Sequence, residues 1–358
     1  MDETLQNTLK PLSSTRVKTL ENCSWVYWCN YHLRLPQLQN EGAKKGEICH
    51  TVFETLLKRP RRKAYFDKVV QSGSITACPA IERLVRKNIK SLKLHDTTEG
   101  FRHIDEMVLV GLQNDFYGEG GTIVAPEFKF DLVNEGPRFR IKGFMDKPFI
   151  RGNTLFIDDF KSSKKKFKGE EQDSNLQALF YSLAGKMIWP HLKPVVRFIF
   201  LQYGENPMMP VEFSDDALLG FKYYLESSQQ KVDGFNEHVA KNNFAADQPS
   251  SSDSFCGKAL CGFASKPGQL KKDGTPMWHC PYKFAFDYYA VVDTDDKIVR
   301  CAFTKEELIP LKMGEKIKKR HYQGCPKHQN VLDNLPTPIA TPKTLPAKTQ
   351  YHNVLDEF

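Results

Sequence analysis

The chain of 358 residues can hold two ordinary domains or one with additions, and 40% apolar with 26% charged residues is the composition of a protein that folds in water. Its longest strongly apolar run, Val195 to Leu201, is broken by Arg197 and is far shorter than the roughly 20 residues of a spanning helix. The start Met1-Asp2-Glu3-Thr4 lacks the basic and apolar character of a secretory signal, so a cytoplasmic location with no membrane partner is expected. The net charge of +8 suits a polyanionic partner without demanding one.

Residues 1–117 read as a helical part. Ser13 to Leu35 places Val17, Leu20, Trp25, Trp28, Tyr31 and Leu35 mostly three or four apart, and Gly46 to Lys58 does the same with His50, Phe53, Glu54 and Leu57 before Pro60 ends the pattern. Further helices fit between Arg61 and Phe116. Near Gly118 the character changes. Glu119-Gly120-Gly121 is a turn, not a phosphate loop, because no Lys followed by Ser or Thr completes the nucleotide-binding pattern. A core over 118–246 then begins with strand-like runs at Thr122 to Val133, Phe139 to Ile150 and Thr154 to Ser162, expected as a three-stranded meander. Asp173 to Ile188 reads as a helix, Val195 to Tyr203 and Met209 to Phe213 as strands, and Ser214 to Val239 as a long helix. Residues 247–254 are a polar linker, 255–330 a small Cys-bearing module, and 331–358 a Pro-rich disordered tail.

Chemistry concentrates between Gly143 and Tyr181. Asp146 closes one apolar run and Asp159-Phe160-Lys161 closes the next. Alternation puts Asp159 and Lys161 on one strand face, with Asp158 and Phe160 on the other. A hairpin between these runs would bring Asp146 beside that pair. Two carboxylates with nearby carbonyls suit a hard divalent cation, and a neighbouring ammonium can hold a water or steady phosphate charge. Gln177 and Tyr181, four apart, share a face of the following helix. Taken singly, each of these pairs is more often a solvated pair or an ordinary core or surface pair.

Their order resembles the RecB-like branch of the PD-(D/E)XK nucleases. The matching segments are Gly46-Glu47-Ile48-Cys49-His50, Gly143-Phe144-Met145-Asp146, Asp159-Phe160-Lys161, and Gln177 with Tyr181; Leu20-Glu21-Asn22-Cys23 resembles the family's opening helix. The resemblance spans residues 13 to 205. It implies an α/β fold with a restriction-endonuclease-like core, a mixed central sheet flanked by helices, and a helical N-terminal cap. It also implies a Mg²⁺ or Mn²⁺ site formed by His50, Asp146, Asp159 and the Phe160 carbonyl, with Lys161 acting on water and phosphate and Gln177 and Tyr181 bracing the site. Glu127, with Lys129 and Asp131 on its strand, is a candidate additional carboxylate. The function implied is metal-dependent hydrolysis of DNA, exonucleolytic rather than endonucleolytic, in repair, recombination or replication. The competing class is a non-catalytic DNA-binding or assembly module that keeps the fold.

Some RecB-like nucleases carry an iron-sulfur cluster on one early and three late cysteines. By that resemblance Cys23, Cys256, Cys261 and Cys280 are candidate [4Fe-4S] ligands, although Cys256-x4-Cys261 departs from the family's tighter spacing. Zn²⁺ on Cys256, Cys261 and Cys280 with His279 or Cys325, and plain reduced thiols, stay open. Lys164, Lys165 and Lys166 directly follow the DxK motif and are candidate phosphate contacts, or else a solvated loop. The terminal Tyr351–Phe358 resembles peptides that bind a sliding clamp or single-strand binding protein.

Overall fold

The computed structural model describes residues 8–58, 62–247, 261–262, 268–272, 274 and 277–328. The chain forms two compact units. Among the described residues, one comprises 8–15 and 41–233, and the other comprises 16–40 and those from 234 to 328. The expected linker over 247–254, Cys256 and the terminal Tyr351–Phe358 lie outside the described residues, apart from Asp247.

The stretch expected as one helix from Ser13 is two, α1 (Ser14–Asn22) and α2 (Ser24–Tyr31). Cys23 between them is extended, with φ −164° and ψ 111°. The Ser24 amide leaves the helical ladder to donate to the Asn243 carbonyl at 2.8 Å, and apolar spacing carries no sign of such a remote acceptor.

In the first unit, α3 (Glu41–Leu57), α4 (Lys63–Ser72), α5 (Pro79–Ser91) and α6 (Thr98–Gln113) enclose an apolar core. Pro79 begins α5, where its missing N–H costs no hydrogen bond, and Ile81, Val85 and Ile89 recur every fourth residue on its buried side. Ile48, Val52, Phe53 and Leu56 of α3 meet Ile104, Met107 and Val108 of α6, and the same core reaches Phe160, Ile199 and Leu201. At Gly111 a Cβ would lie 2.2 Å from Phe53 Cζ, so only glycine lets α6 close on that ring.

Beside the helices lies a five-stranded mixed sheet in the order β1-β4-β5-β6-β7, formed by β1 (Thr122–Ile123), β4 (Lys147–Arg151), β5 (Thr154–Lys161), β6 (Lys193–Phe200) and β7 (Met208–Val211). Only β5 and β6 run parallel. The chain between them contains α7 (Leu176–Ile188), as a parallel pair requires. The strands β2 (Phe128–Asn134) and β3 (Phe139–Met145) form a separate antiparallel hairpin. The expected meander is therefore divided at Asp146: Met145 still pairs with Phe128, whereas Lys147 pairs with Asp158 of β5. Both segments are apolar, so hydropathy alone gives no sign that the pairing partner changes there. The helix α8 (Asp215–Asp233) follows β7.

In the second unit, β8 (Phe286–Val292) is paired on both sides, with β9 (Ile298–Ala302) and β10 (Lys316–Tyr322), all antiparallel. Tyr27 of α2 packs edge-on to Phe235 at 4.7 Å, and Trp25 Nε1 donates to Tyr322 Oη at 2.7 Å. No helix among the described residues is long and apolar enough to cross a membrane.

Candidate active site

The division at Asp146 builds the site. With Lys147 opposite Asp158, Asp146 lies beside Asp159, and its Oδ2 accepts the Phe160 amide at 2.9 Å. That bond joins the GxxD and DxK segments directly. Gly143 serves the same hairpin, because it lies opposite Phe130, and a Cβ there would be 2.6 Å from the Phe130 ring.

His50 arrives from α3. Its Nδ1 lies 3.3 Å from Asp146 Oδ2, and its Nε2 lies 3.0 Å from the Phe160 carbonyl oxygen, an acceptor, so Nε2 carries the proton. Gly46, one helical turn earlier, makes this approach possible: a Cβ there would be 2.5 Å from Ser162 Oγ, immediately after β5. The Gly-x-x-x-His spacing thus has a packing cause. These contacts join His50, Asp146 and the Phe160 backbone, with Asp159 the residue before Phe160.

Glu127 joins them. Ligand atoms of His50, Glu127 and Asp146 lie within 4.8 Å of one another. The residue sits just before β2 at φ +52°, and its amide donates to the Asp146 carbonyl at 2.9 Å. Strand alternation with Lys129 and Asp131 could not have ranked it, since a left-handed turn residue follows no alternation. Asp131 is occupied elsewhere, bonding the Arg140 guanidinium at 2.7 and 2.9 Å.

Asp159 is 2% exposed and faces a second set of partners. Its Oδ1 accepts from Gln177 Nε2 at 2.9 Å and from Tyr181 Oη at 3.0 Å. Gln177 also donates to Tyr181 Oη at 2.8 Å and accepts from Lys161 Nζ at 2.6 Å. Asn175 caps α7 by accepting the Ala178 amide, which sets the phase that points Gln177 and Tyr181 at β5. Asp159 Oδ2 makes no hydrogen bond and has the Lys161 ammonium at 2.8 Å as its ion partner. A buried carboxylate oxygen of this kind retains lone pairs for a cation, so the donor set fits a hard divalent ion.

The electrostatics agree. Burial pushes Asp146 up to about 7, against the pull of His50, and Asp159 adds to the rise. Burial also raises Glu127. For His50 burial acts downward, but the carboxylates of Asp146, Asp159 and Glu127 outweigh it and hold the imidazole above its usual value. Three carboxylates crowded in a low-dielectric site repel one another, and a bound cation would relieve that repulsion.

The opposite face of β5 explains why Asp158 is not part of this group. Asp158 and Lys147 are fully buried, and they pair with each other. Arg197 Nη2 donates to Asp158 Oδ2 at 2.7 Å, and Lys147 Nζ donates to the carbonyls of Asp115 and Phe116 at 2.7 and 3.1 Å. The ions satisfy one another and leave the active face alone.

Of the lysines after β5, Lys164 and Lys165 are exposed. Lys166 lies over the Tyr203 ring at 4.7 Å and bonds the Asn206 carbonyl, while Tyr203 Oη donates to the Lys164 carbonyl at 2.9 Å. The loop is therefore anchored. His103 of α6 is lowered first by burial and then by Lys45, while Glu106 opposes and Lys164 and Arg102 add smaller contributions.

In the second unit, Cys23, Cys29, Cys261, Cys280 and Cys325 are buried thiols. The Cys280 amide donates to the Cys261 carbonyl at 3.1 Å. His279, an alternative zinc ligand by sequence, has a ring centroid 4.9 Å from that of Phe284. Cys49 and Cys78 are buried in the helical core as packing residues.

A mixed sheet carrying an Asp, a DxK strand end, a helix-borne His and a Gln-x-x-x-Tyr brace is the arrangement of a phosphodiester-cleaving metal centre. The model of the PD-(D/E)XK nuclease superfamily matches residues 11–265, which include all of these groups, and the chain belongs to that superfamily. Among solved structures, that of SSO0001 is 12% identical with a TM-score of 0.26, over 69% of this chain and 96% of its own. That of VC1899 from Vibrio cholerae is 10% identical with a TM-score of 0.20, over 64% of this chain and 58% of its own. No curated protein matches the chain.

Proposed function

We propose that the chain is a Mg²⁺- or Mn²⁺-dependent deoxyribonuclease of the RecB-like branch, acting on DNA ends in repair, recombination or replication in the cytoplasm. The observation that carries this reading is the convergence of His50, Glu127, Asp146, Asp159 and Lys161 at the end of β5. His50, Glu127 and Asp146, with Asp159 and the Phe160 carbonyl, would hold the ion. When bound it would act as a Lewis acid on the scissile phosphate and make a water more acidic.

The remaining chemistry belongs to the protein. Lys161, pinned between Asp159 and Gln177, directs an ammonium at the phosphate oxygen that gains charge and orients the attacking water. Gln177 and Tyr181 fix Asp159 through two bonds to one oxygen, and Lys161 faces the other. Lys164 and Lys165, with Lys45 nearby, supply positive charge for the phosphate backbone and read no sequence. A structural iron-sulfur or zinc centre on Cys23, Cys256, Cys261 and Cys280 is carried by the sequence resemblance. Capture of a clamp or single-strand binding protein by Tyr351–Phe358 rests on sequence alone.

The test is digestion of end-labelled linear and closed circular DNA with Mn²⁺, Mg²⁺ or EDTA. Loss of the linear substrate alone, only with metal, is expected; cleavage of the circle would overturn end dependence, and no cleavage of either would overturn the catalytic reading.

A further inference from the structure

Lys147 and Asp158, both fully buried, and Arg197, 7% exposed, form a row of charges across three neighbouring strands. Lys147 lies opposite Asp158 in the β4–β5 ladder, and Asp158 lies opposite Arg197 in the β5–β6 ladder. The row stands one residue behind the active site, since Lys147 follows Asp146 and Asp158 precedes Asp159. A buried ion pair adds little net stability over apolar side chains of the same size, so stability alone does not account for three charges in this core. Their partners are one another, Asp115 and two backbone carbonyls after α6.

Asp146 needs support of this kind. It lies between two ladders, because Met145 pairs with Phe128 and Lys147 with Asp158. Pro148, two residues on, has no N–H to give. The turn Gly152-Asn153, which sets the register of β4 against β5, is at the far end of that hairpin. Lys147 acts at the near end. Its Nζ donates to the carbonyls of Asp115 and Phe116 at 2.7 and 3.1 Å and pairs with the Asp158 carboxylate, which also accepts from Arg197 Nη2 at 2.7 Å. The Phe116 ring centroid lies 5.8 Å from that of Phe53 on α3, the helix that brings His50. One ammonium thus links the strand end carrying Asp146, the strand carrying Asp159 and the core beneath the His50 helix. We propose that Lys147, seated by Asp158 and Arg197, is a positioning residue of the metal site: it fixes the crossing from hairpin to sheet, and with it the place of Asp146 beside Asp159 and His50. This rests on the metal-dependent nuclease reading given above.

The experiment compares the full chain with Lys147→Met/Asp158→Asn and with Val85→Ala. The double variant removes two opposite charges together, and Arg197 keeps the Asp115 carboxylate at 3.0 Å, so no charge is left unpaired. Val85→Ala costs stability in the buried face of α5 without altering the row. Mn²⁺ affinity is read by calorimetry well below the melting temperatures, where every chain is folded, and kcat and KM are read on linear DNA. Expected for the double variant is Mn²⁺ binding about tenfold weaker and kcat at least about tenfold lower, with KM for DNA within about twofold of the parent. Val85→Ala should bind Mn²⁺ within about twofold of the parent, as lost stability alone does not move the affinity of a folded site. Parental Mn²⁺ affinity in the double variant overturns the proposal, as does an equal weakening in Val85→Ala. If the double variant does not fold, Arg197→Met takes its place, since it leaves Asp158 to Lys147 and Asp115 to Arg151. Binding about threefold weaker is then expected, and parental binding overturns the proposal. A parent chain that binds no Mn²⁺ overturns the metal-site reading itself, and the role of Lys147 with it.

Discussion

At the residue scale, the site is built from groups whose ordinary ionisation the fold works against. Asp146 is raised to about 7 by burial, so folding favours its protonated form. Its contribution to the stability of the ion-free chain is therefore greatest at acid pH and declines as pH rises from the unfolded carboxylate range, about 4, through about 7. A divalent cation must displace that proton and the one shared with His50, so it binds more tightly over the same rise. The increase in melting temperature on adding Mn²⁺ should grow steadily from pH 6 to pH 8, and an increase independent of pH would contradict the assignment of Asp146. Glu127→Gln should weaken Mn²⁺ binding by about tenfold or more, read by calorimetry, without lowering the ion-free melting temperature. His50, Asp146, Asp159 and Lys161 were singled out in the sequence by the order of motifs that resembles the nuclease family, their spacing alone being compatible with ordinary surface pairs. Glu127 was only one candidate carboxylate among several, because its place depends on a left-handed turn and on a hairpin that hydropathy did not separate from the sheet.

At the scale of elements, close approach decides the geometry. Gly46 lets α3 lie against Ser162, and Gly46→Ala should push His50 away from Asp146. The expected outcome is a stability loss of about 1–3 kcal/mol in urea together with a disproportionate loss of metal affinity. On the far side of β5, Lys147→Met would leave Asp158 with Arg197 as its remaining ion partner, and a destabilisation of about 3 kcal/mol is expected from denaturant unfolding. The helices of the first unit and the strands β5 and β6 were legible because their apolar residues keep one period throughout. The break at Cys23 and the change of partner at Asp146 were not, since each is decided by a backbone acceptor or a pairing remote in sequence. Lys147 was not legible either, because pattern reading assigns lysine to solvent.

At the scale of the whole molecule, the chain divides into a nuclease unit and a second unit in which an early helix and the late cysteines belong together. Uneven cysteine placement was visible in the sequence, whereas the backbone bond from the Cys325 amide to the Lys283 carbonyl was not. The central claim is that the groups at the end of β5 hydrolyse phosphodiesters through a bound divalent ion. Its most direct test is the Mn²⁺-dependent cleavage rate of linear DNA by the parent chain and by Asp159→Ala, with folding of both followed by circular dichroism. The account predicts cleavage by the parent that EDTA abolishes, and at least about a thousandfold loss in a folded Asp159→Ala chain. Full activity in that variant would contradict it.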